Sequence, residues 1–147
     1  MNDRIFVEWD DRYLVGISFI DEQHKELINL TNTLYEGCLE GNATATAYFM
    51  QTIHGTVDYV KYHFSAEEKL LESVNYPDIV NHKREHEGFV KTIFEQVKSF
   101  EGGKKFVPNE FVRYLKDWIL THIALTDKKY AQYILNLKKQ GRLNIEL

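Results

Sequence analysis

Residues 57–74 read VDYVKYHFSAEEKLLESV. Val57, Val60, His63, Glu67, Leu70 and Val74 recur there at intervals of three and four, the spacing that gathers side chains into one stripe of an α-helix. Two members of that stripe, His63 and Glu67, are ionisable. An acid and an imidazole facing a core are costly to bury unless something pairs them. The stretch therefore predicts a core helix with a polar station in its middle. Upstream, Phe49 and Ile53 fall on the same stripe, so the helix is expected over residues 43–74.

Three further stripes share the pattern. One holds Ile20, His24, Leu27, Thr31, Leu34 and Cys38; another Ile79, His82, His86, Phe89, Ile93, Val97 and Phe100; the last Phe111, Leu115, Trp118, His122 and Leu125. Gly37, Gly41 and Asn42, then Asn75-Tyr76-Pro77, then Gly102-Gly103 separate them, and Pro108 sits where a first helical turn tolerates it. Helices are expected over residues 18–38, 43–74, 78–101 and 108–136. Ser18 followed by Asp21 resembles an N-cap with an acid in the first turn. An N-terminal arm, residues 1–17, should anchor through Trp9 and Tyr13, and residues 138–147 should form a frayed or surface-docked tail. The fold class is all-α: an up-down-up-down antiparallel four-helix bundle, expected as a single domain over residues 1–147.

The 147 residues are 44% hydrophobic and 27% charged, enough for one sizeable core. A net charge of −4 with no basic block argues against a nucleic-acid partner. No apolar run is long enough to cross a bilayer, and the N-terminus lacks the apolar stretch of a signal peptide. The lone Cys38 excludes an internal disulfide and reads as a small core hydrophobe. A cytoplasmic protein with no membrane association is expected.

Five of the six histidines, His24, His63, His82, His86 and His122, fall inside the stripes, and all four helices contribute. His63 and Glu67 are four apart, as are His82 and His86, so each pair shares a helix face and can converge on metal. The sixth, His54, lies about 180° around the helix from His63, beside Asp58 and Lys61 on the polar face. Asp127 lies five residues after His122, about 140° round a regular helix. A local π-type widening would bring it inward; otherwise it is a solvated acid beside Lys128 and Lys129. Five imidazoles and two carboxylates are too many ligands for one ion and suit two with the carboxylates bridging. Imidazole with carboxylate favours iron, while zinc and manganese remain open. If both carboxylates and a solvent-derived oxygen bridge, a three-His iron is six-coordinate and a two-His iron keeps an open position.

Asp21-Glu22-Gln23-His24, His63-Phe64 with Glu67, His82-x-x-x-His86, and Trp118-Ile119-x-x-His122-x-x-x-x-Asp127 resemble the hemerythrins, particularly the bacterial ones. The resemblance runs from about Trp9 to about Tyr130, with every ligand position matched. It implies that His82, His86 and His122 hold one iron and His24 and His63 the other. Glu67 and Asp127 would bridge the two iron ions together with an oxo or hydroxo group. It also implies that dioxygen binds end-on at the two-His iron, with Leu27, Phe64, Trp118, Ile119 and Ile123 as the apolar wall of its pocket.

The expected function is a non-haem diiron protein that binds dioxygen reversibly, as a carrier, a store, a scavenger or a protein that delivers to an oxygen-using enzyme. Alternatives are a sensor of oxygen, nitric oxide or redox state acting through a partner, and a diiron peroxidase, nitric oxide reductase or oxidase. No further acid or base is apparent beside the open position, which weighs against an enzyme. An open coordination site weighs against a purely structural metal. The remaining tyrosines read as packing and interface residues.

Overall fold

Four helices, joined by short turns, carry the polar stations predicted from the stripes. The structure, a computed structural model, describes residues 6–142. Helix α1 spans Ser18–Glu40. Helix α2 runs from Asn42–Tyr59 through a π-helical stretch, Val60–Phe64, into Ser65–Ser73. Helix α3 spans Ile79–Glu101. Helix α4 starts at Val107 with Pro108 in its first turn, widens to π geometry over Ile119–Thr126 and continues through Asp127–Lys139. The bundle is all-α and antiparallel. Each terminus lies within a few residues of its predicted place, α4 extending furthest beyond it. The predicted tail begins inside α4, and residues 143–147 lie outside the described residues.

Two local expectations fail for physical reasons. Gly37 is no break: it is buried within α1, where a Cβ would stand 2.4 Å from the Tyr48 ring, so its lack of side chain lets α2 approach. The break falls at Gly41, whose φ of +118° an L side chain rarely adopts. Ser18 does not cap α1 either. Ile17 occupies the cap position without a side-chain bond. The Asp21 carboxylate instead accepts from the Val15 and Gly16 N–H groups at 2.8 and 3.2 Å, tying the arm to the helix.

The arm is held at its other end by Asn32. Its side-chain oxygen accepts from the Phe6 and Val7 N–H groups at 3.0 and 2.8 Å, and its amide donates to the Val7 carbonyl at 2.7 Å. Tyr13 is buried and Trp9 half-buried against it. Cys38 is half-buried and its thiol pKa is pushed up by burial, in keeping with a packing role. Among the described residues no helix is long and apolar enough to cross a membrane.

The apolar core falls into two clusters. The larger includes Leu27, Phe49, Phe64, Phe89, Phe111, Leu115 and Ile123. The smaller includes Ile17, Ile20, Leu70, Leu71, Tyr130 and Ile134. Along every helix the histidines stand between members of the two: His24 between Ile20 and Leu27, His63 and Glu67 between Tyr59 and Leu70, His122 and Asp127 between Trp118 and Tyr130. A buried polar layer therefore crosses the bundle between two apolar ones.

Candidate metal centre

Each of the seven predicted ligands is buried: His24, Glu67 and Asp127 are 0% exposed and His63, His82, His86 and His122 at most 2%. The four helices bring them together. His82, His86 and His122 with Glu67 form one group of converging atoms, and His24, His63, Glu67 and Asp127 form another, the atoms within each lying within 4.8 Å of one another. His54 is exposed and belongs to neither.

Both carboxylates face both groups, one oxygen to each. Glu67 Oε1 lies against His82 Nε2 and 3.0 Å from His86 Nε2, while its Oε2 lies 3.2 Å from His63 Nε2. Asp127 Oδ1 lies 3.3 Å from His82 Nε2 and 3.1 Å from His122 Nε2, while its Oδ2 lies 3.1 Å from His24 Nε2. Asp127 reaches inward because the backbone preceding it is π-helical, which rotates a side chain five residues on back towards the face of His122. Α similar stretch precedes Glu67 on α2; no spacing anomaly in the sequence betrays it.

The donor set fits a pair of metal ions. His24 Nε2, His63 Nε2, His122 Nε2 and both Asp127 oxygens are buried without a hydrogen-bond partner. Leaving so many polar atoms unpaired is costly, and all of them point into the two groups. Carboxylates shared between imidazole clusters are the natural donors for two hard-to-borderline cations.

The outer ring nitrogens set the tautomers. His63 Nδ1 faces Gln23 Oε1 at 2.7 Å, His86 Nδ1 faces Glu68 Oε2 at 2.8 Å, and His122 Nδ1 faces Glu85 Oε1 at 3.4 Å. An acceptor at Nδ1 places the proton there and leaves Nε2 free for a metal. The partners differ in charge. Two carboxylates back the three-His group, and a neutral amide backs the two-His group. Tyr130 adds a bond from its hydroxyl to Glu67 Oε2 at 2.8 Å. Flat stacking fixes three rings: Phe64 on His86 at 3.7 Å, Trp118 on His122 at 4.0 Å, and Tyr59 on His63 at 4.6 Å.

The protonation pattern follows. Burial lowers the His63 pKa, more than the nearby Glu67 raises it. Burial also opposes a proton on His122, yet Asp127, Glu85 and Glu67 raise it to about 10. Burial would raise the Glu67 carboxyl, but His63, His82 and His86 hold it well below the usual carboxylate range. Burial and the Glu67 charge likewise push Asp127 up, and His122 and His24 bring it below its ordinary value.

The residues expected to wall a ligand pocket, Leu27, Phe64, Trp118, Ile119 and Ile123, are all buried and all belong to the larger apolar cluster. Glu68, Glu85, Tyr59 and Tyr130 were not singled out from the sequence, and Gln23 was quoted only as part of the motif around His24, without a role. Each lies on a ligand-bearing helix close to a ligand: Gln23 precedes His24, Glu68 follows Glu67, Glu85 precedes His86, Tyr59 stands four before His63, and Tyr130 three after Asp127. That proximity was the available signal. The two tyrosines pack in the apolar clusters as expected and in addition touch the buried donor set.

Residues 15–134 match the family described as Hemerythrin HHE cation binding domain. A bacteriohemerythrin of Stenotrophomonas maltophilia is 33% identical over 126 residues, covering 86% of this chain and 80% of that one. A bacteriohemerythrin of Methylococcus capsulatus is 31% identical, covering 79% and 86%. A hemerythrin-like protein of Naegleria gruberi is 32% identical, covering 83% and 88%. The crystal structure of a wild-type hemerythrin superposes with a TM-score of 0.75 at 28% identity, covering 86% of this chain and 96% of that one. With the fold, the buried donor set and these matches in agreement, the chain belongs to the hemerythrin family.

Proposed function

We propose that this chain is a non-haem diiron protein that binds dioxygen reversibly, as a carrier, store or delivery protein. His82, His86 and His122 would hold one iron and His24 and His63 the other, with Glu67 and Asp127 bridging. The observation that carries the reading is the unequal sharing: two carboxylates each turn one oxygen to a three-imidazole group and one to a two-imidazole group. One side is then a ligand short. Two iron ions would supply a reversible two-electron centre with a coordination position on that side.

The chain's own residues do the rest. Leu27, Ile119 and Ile123, each 0% exposed in the larger apolar cluster, would exclude water and protons from the open position. Phe64 and Trp118 close the wall and fix His86 and His122 by stacking. Gln23, Glu68 and Glu85 hold the outer protons of three imidazoles. Tyr130 steadies the Glu67 oxygen that faces His63.

The visible spectrum tests this directly. Iron-loaded protein is reduced without air, exposed to oxygen and then purged. A coloured species that forms with oxygen and disappears on purging is the expected result. One-way conversion to the oxidised form, or no oxygen-dependent band, would overturn reversible binding.

A further inference from the structure

Two phenols stand beside the bridging carboxylates, and only one is accounted for. Tyr130 donates to Glu67 Oε2. The Tyr59 hydroxyl is buried with no hydrogen-bond partner, on a side chain 4% exposed. A phenylalanine would fill the same space without stranding a donor, so the hydroxyl is a cost unless something else accepts from it.

Its position indicates what that is. Tyr59 precedes His63 by one helical turn, and its ring lies on the His63 imidazole, planes 15° apart. The ring therefore stands on the two-His side. The Trp118 indole Nε1 is likewise buried without a hydrogen-bond partner. Both rings pack against the buried, purely apolar Phe64 and Phe89. The polar atoms of this wall are two N–H or O–H donors, and the one oxygen that could accept between them, that of Tyr59, has no partner.

Resting on the diiron reading above, we propose that Tyr59 is a specificity-determining residue whose hydroxyl donates a hydrogen bond to a small electron-rich ligand on the His24/His63 side. Azide is the probe and dioxygen belongs to the same class. Such a donor favours ligands that carry negative charge over neutral ones of equal size. The wall is then selective as well as dry.

The test compares iron-loaded, oxidised wild type with Tyr59→Phe and Trp118→Phe. Azide affinity is read from the charge-transfer band, and the azide stretch from infrared spectra in H2O and D2O. Tyr59→Phe should bind azide about tenfold more weakly and lose the solvent-isotope shift of the stretch. Iron content should be unchanged and the melting temperature unchanged or higher, since a stranded donor is removed. Equal affinity and an intact isotope shift would overturn the proposal. So would a lower melting temperature without a change in azide binding, which marks a structural hydroxyl. A shift that survives in Tyr59→Phe and vanishes in Trp118→Phe assigns the donor to the indole and overturns it too. Wild type that holds iron but binds neither azide nor oxygen would instead sink the functional reading itself.

Discussion

Asp127 and His122 meet at 3.1 Å although five residues separate them, because the helix between them is π-wound. The carboxylate also reaches His24 on the other side of the centre. Asp127→Asn keeps the shape and removes the charge. Metal bound per chain should fall from two ions towards one, and His122 should lose most of its raised pKa. Metal analysis after desalting checks the first outcome, and histidine NMR titration without metal the second.

Removing one imidazole from the two-His side should be selective. His24→Ala or His63→Ala is expected to empty that position and abolish oxygen binding while the His82/His86/His122 group still retains metal. His54→Ala, at an exposed position, should leave metal content unchanged. Iron loss in that variant, or oxygen binding in the first two, would contradict the assignment.

Protons compete with metal at this centre, and the signs can be worked out. In the chain without metal, His122 is raised from 6.5 to about 10. Its stabilising contribution is complete below pH 6.5 and disappears as pH rises through about 10. His63 is lowered, so as pH falls below 6.5 the unfolded chain takes a proton the folded one refuses, and stability falls. Glu67 and Asp127 are lowered, so they contribute above their ordinary values of 4.5 and 3.8 and are lost in acid. Melting temperature in chelator should therefore decline from neutral pH towards pH 10, and metal-loaded protein should not follow. Loading at pH 8 should release a proton from His122, measurable by calorimetry in buffers of different ionisation enthalpy.

The partners behind the imidazoles differ in sign of effect. Glu68→Gln or Glu85→Gln should weaken metal at the three-His group by roughly 10–100-fold. Gln23→Glu should strengthen it at the two-His group and lower the reduction potential. Potentiometry and competitive chelation read both.

Ile119, proposed for the pocket wall, is 0% exposed in the larger apolar cluster. Ile119→Ala should cost about 2–5 kcal/mol of stability and admit water, speeding oxidation of the oxygen-bound form. Thermal melts and the decay of the oxygen-dependent band measure the two effects, and an unaltered decay would remove Ile119 from the wall.

The four helices and the buried histidines with Glu67 were legible because they keep the three-and-four spacing of a core stripe; Asp127, five residues after His122, does not, and only the family resemblance pointed to it. The failures come from the π stretches and from a polar residue that behaves as core. Leu125 continues the α4 stripe by spacing, yet it is 62% exposed, because the widened turn passes the inward position to Asp127. Val57 looks like core on α2 but is 49% exposed. Thr56 is buried in its place, its hydroxyl satisfied by the Thr52 and Ile53 carbonyls at 2.9 and 3.0 Å. Hydropathy alone favours the valine. The supporting residues Gln23, Glu68 and Glu85 were hidden for another reason: they lie near the surface, where acids and amides are ordinary.

The polar layer that separates the two apolar clusters also bears on cooperativity. Ions held by residues of all four helices would act as a rivet between these two separate apolar clusters. Without the rivet, the smaller end, built from Ile20, Leu71, Tyr130 and Ile134, is free to open on its own. Amides at that end should then exchange with solvent before those around Phe49 and Phe111. With metal bound, the two ends should protect their amides as one unit.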